Sequence, residues 1–270
     1  MSFKRFNPAD DIVENQRTTI SSGLWTGGSS TLTSFFTQSL NGNITGSFLE
    51  LYNVDPNSDT SAEVQFAVGY ANIHGSGSTG NTTKLTTGGR QTAALYRQFR
   101  NLLLAPNTDE FTFTSHADSS DDFYFISFQR ARQREKIDPG NWEIQLTGQM
   151  SGKAAKIQLI DDSGATNNPT VNEGGRVFNV VSGSISDGVN TTAANQPGGA
   201  LGQFYPDLGL ILLDAVQLEA SGGLDSNARD ADMFISRSAV FYNSIKSGSS
   251  FQARREEEIS STNYFVRVNN

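Results

Sequence analysis

The sequence predicts an α+β fold that is predominantly antiparallel β and sandwich-like, with two amphipathic helices and long surface loops. Three observations carry this expectation. Short segments alternate apolar and polar residues at the period of a strand, most cleanly at Val64, Phe66, Val68 and Tyr70. Aliphatic and aromatic residues make up 36% of the chain and 26 residues are glycine, a balance that favours short strands with polar connections over a helical bundle. Apolar residues recur convincingly at helical spacing in only two stretches, within 91–104 and 226–247.

Composition also excludes classes of function. The 270 residues contain no cysteine, which removes disulfide frameworks and thiolate metal sites. The net charge is −8 and the pI near 4.8; such an acidic surface is a poor match for duplex nucleic acid, which needs a basic face. The longest apolar run, Leu208 to Leu213, is far too short to cross a bilayer. The first residues, MSFKRFNPADDIVENQ, lack an apolar signal core, so assembly inside the producing cell is expected.

The chain divides into an extended N-terminal arm over 1–20, one elaborated β-rich domain over 21–250, and a charged C-terminal segment with an edge strand over 251–270. After a turn at Trp25-Thr26-Gly27-Gly28, strands are expected at Ser30–Gln38 and Thr45–Val54. Asn41-Gly42-Asn43 would join them as a hairpin, because Asn and Gly tolerate positive φ. Ala62–Ile73 is the best half-buried strand. In the glycine-rich loop that follows, Gly75, Gly77 and Gly80 match a dinucleotide-binding spacing by letter, but no helix opens there and Leu95 stands where the acid belongs. The first helix covers Gln91–Leu104, with Leu95, Phe99, Leu102 and Leu103 on one stripe and Pro106 stopping it.

Phe111–Thr114 reads as a short strand. The acidic run Asp118–Asp122 lacks both the turn glycine and the closing glutamate of a calcium loop. Phe123–Phe128 is aromatic on both faces, as a central strand would be. Arg130, Arg132 and Arg134 then alternate ahead of Lys136; on a strand they would line one face. That ladder either blunts a solvated edge or receives an acidic patch on a neighbour, such as a surface like Glu256, Glu257 and Glu258. Asp138-Pro139-Gly140-Asn141 is a tight turn leading into a strand that begins at Trp142. Trp142 serves as a core anchor or as an interface anchor. Strands at Ile157–Ile160 and Arg176–Ile185 are separated by a polar excursion, and 188–203 is a second one. Tyr205–Asp214 reads as one buried strand. The second helix spans Ser226–Ser247, capped by Ser226 or Asn227 and ended by Gly248, with Met233, Arg237, Val240, Phe241 and Ile245 near one stripe.

The last twenty residues, FQARREEEISSTNYFVRVNN, pass from the cluster Arg254, Arg255, Glu256, Glu257, Glu258 to an alternating run at Tyr264–Val268. Such a terminal strand either completes its own sheet or recruits another chain through its edge. The candidates for partner contact are therefore Arg130, Arg132, Arg134, Lys136, Trp142, Arg254, Arg255, Glu256, Glu257, Glu258, Tyr264, Phe265 and Arg267.

Three segments carry a resemblance. YFVRVNN at the end of the chain, Tyr96–Leu104 (YRQFRNLLL) and the run EKIDPGNW from Glu135 to Trp142 resemble segments of virion structural proteins of contractile-tailed bacteriophages, especially those of marine cyanobacteria. The resemblance implies a non-enzymatic structural subunit of the tail, in the baseplate wedge, assembled in the host cytoplasm. Its implied partners are other tail or baseplate proteins and further copies of itself, with no nucleic acid and no membrane insertion. Chains of that family often continue past the corresponding strand, so a longer natural chain is an expectation of the resemblance. The family brings no catalytic residues.

No cofactor, metal or catalytic set is expected from the residues themselves. Only His74 and His116 are present, both in polar loop sequence without a ligand spacing, and neither a nucleophile elbow nor a P-loop occurs. The alternatives are another virion role (neck, sheath terminator or capsid decoration) and a host-glycan-binding or glycan-hydrolysing tail protein. The latter would stack sugars on Trp25 or Trp142, or use two carboxylates that no spacing singles out.

Overall fold

The computed structural model describes residues 12–38, 48–77, 91–113, 120–150, 153–165, 169–189, 200–221, 223–224 and 236–265. In chain order the described elements are β1 (Ile12–Gly23), β2 (Thr31–Leu32), β3 (Phe48–Tyr52), β4 (Val64–Asn72), α1 (Gln91–Leu103), β5 (Asp122–Phe128), α2 (Arg130–Gln133) and β6 (Lys136–Met150). There follow β7 (Lys153–Asp161), β8 (Thr170–Asn172), β9 (Gly175–Ser184), β10 (Gly188–Val189), β11 (Gly202–Tyr205), β12 (Leu210–Asp214), α3 (Ala215–Ala220), α4 (Arg237–Gly248) and β13 (Phe251–Phe265). The fold is α+β and β-rich, and every described strand pairing is antiparallel.

The strands form one sheet in the order β1-β13-β6-β7-β9-β11-β12-β5-β4-β3. This is not the pair of facing sheets that a sandwich requires. Instead the sheet curls until its ends meet. β1 and β2 lie end to end along one side of β13: Ala253 accepts a bond from Leu24 N–H (3.2 Å) and donates one to Ser30 C=O (2.9 Å). A few residues later Phe36 exchanges two backbone hydrogen bonds with Tyr52 of β3 (3.1 and 2.8 Å). The segment 31–36 therefore ties β13, near one end of the strand order, to β3 at the other. Closing a sheet in this way hides the backbone groups that an edge would expose.

Aromatic side chains fill the seam. Phe66 of β4 and Phe128 of β5 meet Phe251 of β13 with ring centroids 5.2 and 5.6 Å apart. Trp25 lies 5.0 Å from Phe251 and 5.7 Å from Phe66, and its indole N–H donates to Phe251 C=O at 3.0 Å. All four side chains are buried. Rings of this size dominate core energetics, and tilted or edge-on contacts add to the area term.

Alternation sorts the strands into two faces. Residues such as Phe66, Val68, Tyr124, Ile126, Ile211 and Leu213 point into the concave core. Their neighbours Ala71, Phe123, Phe125, Leu210 and Leu212 point outward, where α1 covers them. The expectations for β4 and for β5 as a central strand hold in this geometry. On α1 the expected Leu95, Phe99 and Leu103 pack against this face, joined by Thr92 and Tyr96, whereas Leu102, also expected on the stripe, is 50% exposed. α4 crosses the concave side from β6 to β3 and β4 and is buried all round except at Asn243, Lys246 and Ser247, so it is a core plug rather than a two-faced amphipathic helix. A Cβ on Gly248 would stand 1.7 Å from Gln145 C=O, which shows how closely the helix end seats on β6.

Four expected elements differ. Arg130–Gln133 is one turn of helix, not a strand, because the side chain of Gln133 turns inward and donates to the carbonyls of Pro206 (3.3 Å) and Asp207 (2.9 Å). Tyr205–Asp214 is a hairpin rather than one strand, broken at Pro206–Gly209 with Gly209 at φ 62°. Asp138–Asn141 does not connect two strands; it bulges out of β6, where the partner register passes from Ala253↔Trp142 to Arg255↔Ile137. The second helix begins at Arg237, with Ser236 as its N-cap, and 225–235 lie outside the described residues. So do 39–47, with the expected hairpin at Asn41–Asn43, 78–90, and 114–119, with His116.

The carboxylate of Asp161 fixes the bulge by accepting from Gly140 N–H (2.8 Å) and Ser163 N–H (2.9 Å). Burial pushes its pKa above the ordinary carboxylate range, against these bonds, which pull it down. The folded chain thus holds a proton at Asp161 more tightly than the unfolded chain does. That contribution is present at acid pH and is lost as pH rises through the raised value. Comparing urea denaturation of wild type and Asp161→Asn across acid pH, the stability difference should move in favour of wild type as pH falls; a difference independent of pH would contradict the assignment. At the seam, Phe251→Ala should destabilise the protein by about 3–5 kcal/mol, against about 0.5 kcal/mol or less for Leu102→Ala. Equal effects in equilibrium denaturation would contradict closure by this cluster.

Candidate functional site

β13 is fifteen residues long but β6 accompanies it only from Phe251 to Glu256. β1 pairs with it from Arg254 to Phe265 without a register break. Beyond Glu256, the described chain therefore leaves the body as a two-stranded ribbon, 12–20 against 257–265. Nine residues of extended chain reach about 30 Å. Residues 14–21 and 258–265 are exposed on both faces. The N-terminal segment, expected as a separate arm, is the outer strand of this ribbon from Ile12 onward, and the C-terminal strand is paired on both sides as far as Glu256 and on one side, by β1, beyond it.

The ribbon carries several exposed large apolar side chains: Ile20 (45%), Ile259 (48%), Phe265 (56%) and Tyr264 (65%). In an antiparallel pair, opposite residues share a face. The register Ile20↔Glu257, Thr18↔Ile259 and Ile12↔Phe265 puts Ile20, Ile259 and Phe265 on one face. Tyr264, opposite Val13, is on the other. Polar cross-strand contacts join the two strands: Thr262 Oγ1 to Asn15 Oδ1 at 2.8 Å and Arg17 to Glu258 at 3.2 Å.

At the ribbon's foot the charged residues singled out by sequence come together. Arg134 makes a forked bond to Glu257, both contacts 3.0 Å. Lys136 pairs with Glu256 at 2.9 Å, Arg255 with Glu257 at 2.9 Å, and Arg132 with Glu63. Arg255 also donates to the Arg132 carbonyl at 3.3 Å, and Glu135 accepts the Glu258 N–H at 2.7 Å. Arg254 reaches back to Ser21 at 3.0 Å. The acidic patch expected on a neighbouring molecule is thus met within the chain, by the very glutamates the sequence offered as its likeness. Glu63 carries two of these bonds, from Thr26 and Arg132, which hold its carboxyl below the usual range. Arg130 remains exposed on α2. Arg267 lies outside the described residues.

Trp142 is fully enclosed, 5.2 Å from Phe204, and Trp25 is enclosed at the seam, so neither offers a face to a sugar or a partner. Sequence reasoning missed the contribution of β1: Glu14 to Ser21 show no apolar alternation, and only the pairing identifies them as strand.

Elsewhere, one buried polar group stands out. Tyr70 donates to Asp122 at 2.5 Å, and the Arg237 guanidinium lies over the Tyr70 ring, 5.4 Å from its centroid. Burial first, and then the Asp122 charge, push the Tyr70 hydroxyl far above its ordinary range; burial does the same to Tyr124. These tyrosines stay protonated, and all of the group is buried, so it ties β4, β5 and α4 together without reaching solvent. A shallow depression of about 160 Å³ beside Ser30, Asn141 and Arg254 is smaller than most ligand sites. Among the described residues no group of three or more His, Asp and Glu is placed to hold a metal, and no helix is long and apolar enough to cross a membrane. No protein-family model, curated protein or solved structure matches this chain.

Ion pairs at the foot should differ in strength with burial. The Lys136 and Glu256 side chains are 24% and 18% exposed, those of Arg17 and Glu258 78% and 50%. A double-mutant cycle to neutral residues should return about 0.5–1 kcal/mol of coupling for the first pair and about 0.2 kcal/mol or less for the second. The reverse order would contradict the geometry of the foot.

Proposed function

We propose that this chain is a non-enzymatic structural subunit of a bacteriophage tail, placed in the baseplate, whose terminal ribbon is its assembly element. The observation that carries the reading is the ribbon itself: two strands projecting past the body, exposed on both faces and along most of both edges. Isolated two-stranded ribbons are marginal in water, and a third strand or a packed face is what makes them stable. Strand addition supplies that through main-chain hydrogen bonds, with alternate side chains setting the register. The resemblance of the three sequence segments to contractile-tail virion proteins supplies the setting. A neck, sheath-terminating or capsid-decorating role would use the same chemistry and differ in copy number. The glycan reading is weakened by the burial of Trp25 and Trp142, its intended stacking surfaces.

Two measurements test this. Quantitative peptide mass spectrometry on purified particles, scaled to the major capsid protein, should find the chain at low copy in a multiple of six; hundreds of copies would move it to capsid or sheath, and its absence would overturn the reading. A variant truncated to residues 20–257 should keep a cooperative unfolding transition within a few degrees of wild type, since the body's seam is intact, and should fail to enter particles. Normal incorporation of that variant would remove the ribbon from assembly.

A further inference from the structure

The hydrogen-bond phase of the ribbon shows which backbone groups of β1 are committed and which face outward. Leu24 N–H donates to Ala253 C=O, and this pair continues the register Gly23↔Arg254. Alternate pairs outward from it, Ser22↔Arg255, Ile20↔Glu257 and so on to Ile12↔Phe265, are therefore the hydrogen-bonded ones. An independent bond agrees: Glu258 N–H points away from β1, to Glu135, so Thr19↔Glu258 is a non-bonded pair. It follows that the even residues of β1 bond β13, while Val13, Asn15, Arg17 and Thr19 aim their N–H and C=O groups at the outer edge. The opposite edge, on β13, is obstructed at its foot by Glu135 and the α2 turn. The outer edge of β1 is covered at its foot, where Arg254 donates to Ser21 C=O at 3.2 Å and Gly23 packs against Gly28 and Ser29, but has no such cover from Val13 to Thr19 among the described residues.

We propose that the occupant of this edge is β1 of a second copy, antiparallel about a two-fold axis at Gln16. This rests on the assembly reading and names the partner. A two-fold antiparallel strand pair joins residues of equal parity, which leaves few registers. Centring on Arg17 would oppose two arginines. Centring on Glu14 would oppose two glutamates and pair only 12–16. Centring on Asn15 brings the two Glu14 side chains into diagonal contact. Centring on Gln16 pairs all of 12–20: Ile12 with Ile20, Val13 with Thr19, Glu14 with Thr18, Asn15 with Arg17, and Gln16 with itself. No like charges stand directly opposite; the two Arg17 side chains are diagonal, as the two Glu14 would be in the Asn15-centred register, but each Arg17 has Glu258 at 3.2 Å as a counter-charge. The Phe265 end of one ribbon comes beside the Ile20 and Ile259 end of the other, on the same face. The hydrogen-bonded pairs are the odd residues, whose groups face that way. The closed two-fold also ends the association at two copies per edge.

The chain contains no cysteine, so single cysteines report the register directly. Gln16 sits at a non-hydrogen-bonded position on the axis, where Cα atoms of opposite residues are about 4.5 Å apart, within disulfide reach. Ser261 lies opposite Gln16 within the ribbon, but its two copies would be three strand spacings apart, about 14 Å. In the purified protein under mild oxidation, Gln16→Cys should form a disulfide dimer at least about tenfold faster than Ser261→Cys or Thr18→Cys. Asn15→Pro removes an outward-facing N–H together with the Thr262 Oγ1 to Asn15 Oδ1 bond, and Asn15→Ala, which loses the side-chain bond alone, is its control; the proline variant but not the alanine variant should abolish dimer in sedimentation equilibrium and slow the Gln16→Cys crosslink to the control rate, while circular dichroism and the unfolding temperature stay near wild type. Equal crosslinking of all three cysteines, or a wild-type monomer at every concentration, would overturn the proposal. If Asn15→Pro also fails to enter particles while Gln16→Cys never crosslinks in solution or in particles, the edge serves a different protein; that outcome overturns the homodimer and leaves the assembly reading standing.

Discussion

Closure of the curled sheet at the Trp25, Phe66, Phe128 and Phe251 seam is the constraint on which the rest of the structure depends. These residues come from four separate parts of the chain, and their contacts bring β13 against β4 and β5, strands far from it in the sheet order. Two short backbone links, β2 to β13 and Phe36 to Tyr52, complete the curl. Because the seam is closed, the concave side becomes a core that α4 can plug, and the sheet presents few free edges. Hydrophobic burial supplies most of that stability, and the backbone bonds fix its register.

The same closure explains the ribbon. The body needs β13 only as far as Glu256, where Lys136 pairs with it. The nine residues that follow are surplus to the core, and so are the nine of β1 that pair with them. A chain that merely needed to finish its sheet would stop near the foot. The charged lattice of Arg134, Lys136, Arg255, Glu256 and Glu257 then acts as a collar. It fixes the angle at which the ribbon leaves the body, and it satisfies within one molecule charges that would otherwise attract other surfaces.

Much of the β architecture was legible because alternation is a local signal. Phe66, Val68 and Tyr70 were read correctly as sharing one face, and Phe123 to Phe128 as a central strand apolar on both, since a strand buried on one or both sides leaves its period in the sequence. Misreadings occurred where one local signal serves two structures. Asp138-Pro139-Gly140-Asn141 has turn chemistry, and Gly140 does adopt φ 79°, but that chemistry also builds a bulge. Arg130, Arg132 and Arg134 alternate as a strand would; the deciding residue was Gln133, whose inward bonds to the 206–207 turn are long-range. Gly209 was the visible break in an otherwise continuous apolar run, and its positive φ makes the hairpin. The candidate site was half legible. The acidic and basic clusters were both noticed, but that they answer each other in one chain follows from pairing between segments more than a hundred residues apart, which composition does not encode. β1, polar throughout most of its length, had no local signal at all.

The central claim is that the seam closes the body and that the ribbon lies outside it. Native-state hydrogen exchange on the monomer, resolved by residue, tests this most directly. The account predicts that the amides of Phe36, Tyr52 and Ala253 exchange only with global unfolding, alongside Ile126 and Leu212 in the sheet centre, while Thr18, Ile259 and Ser261 exchange through much smaller local openings. Early exchange at Phe36, Tyr52 and Ala253, with the sheet centre still protected, would show a sheet that is open at the seam and would contradict the account.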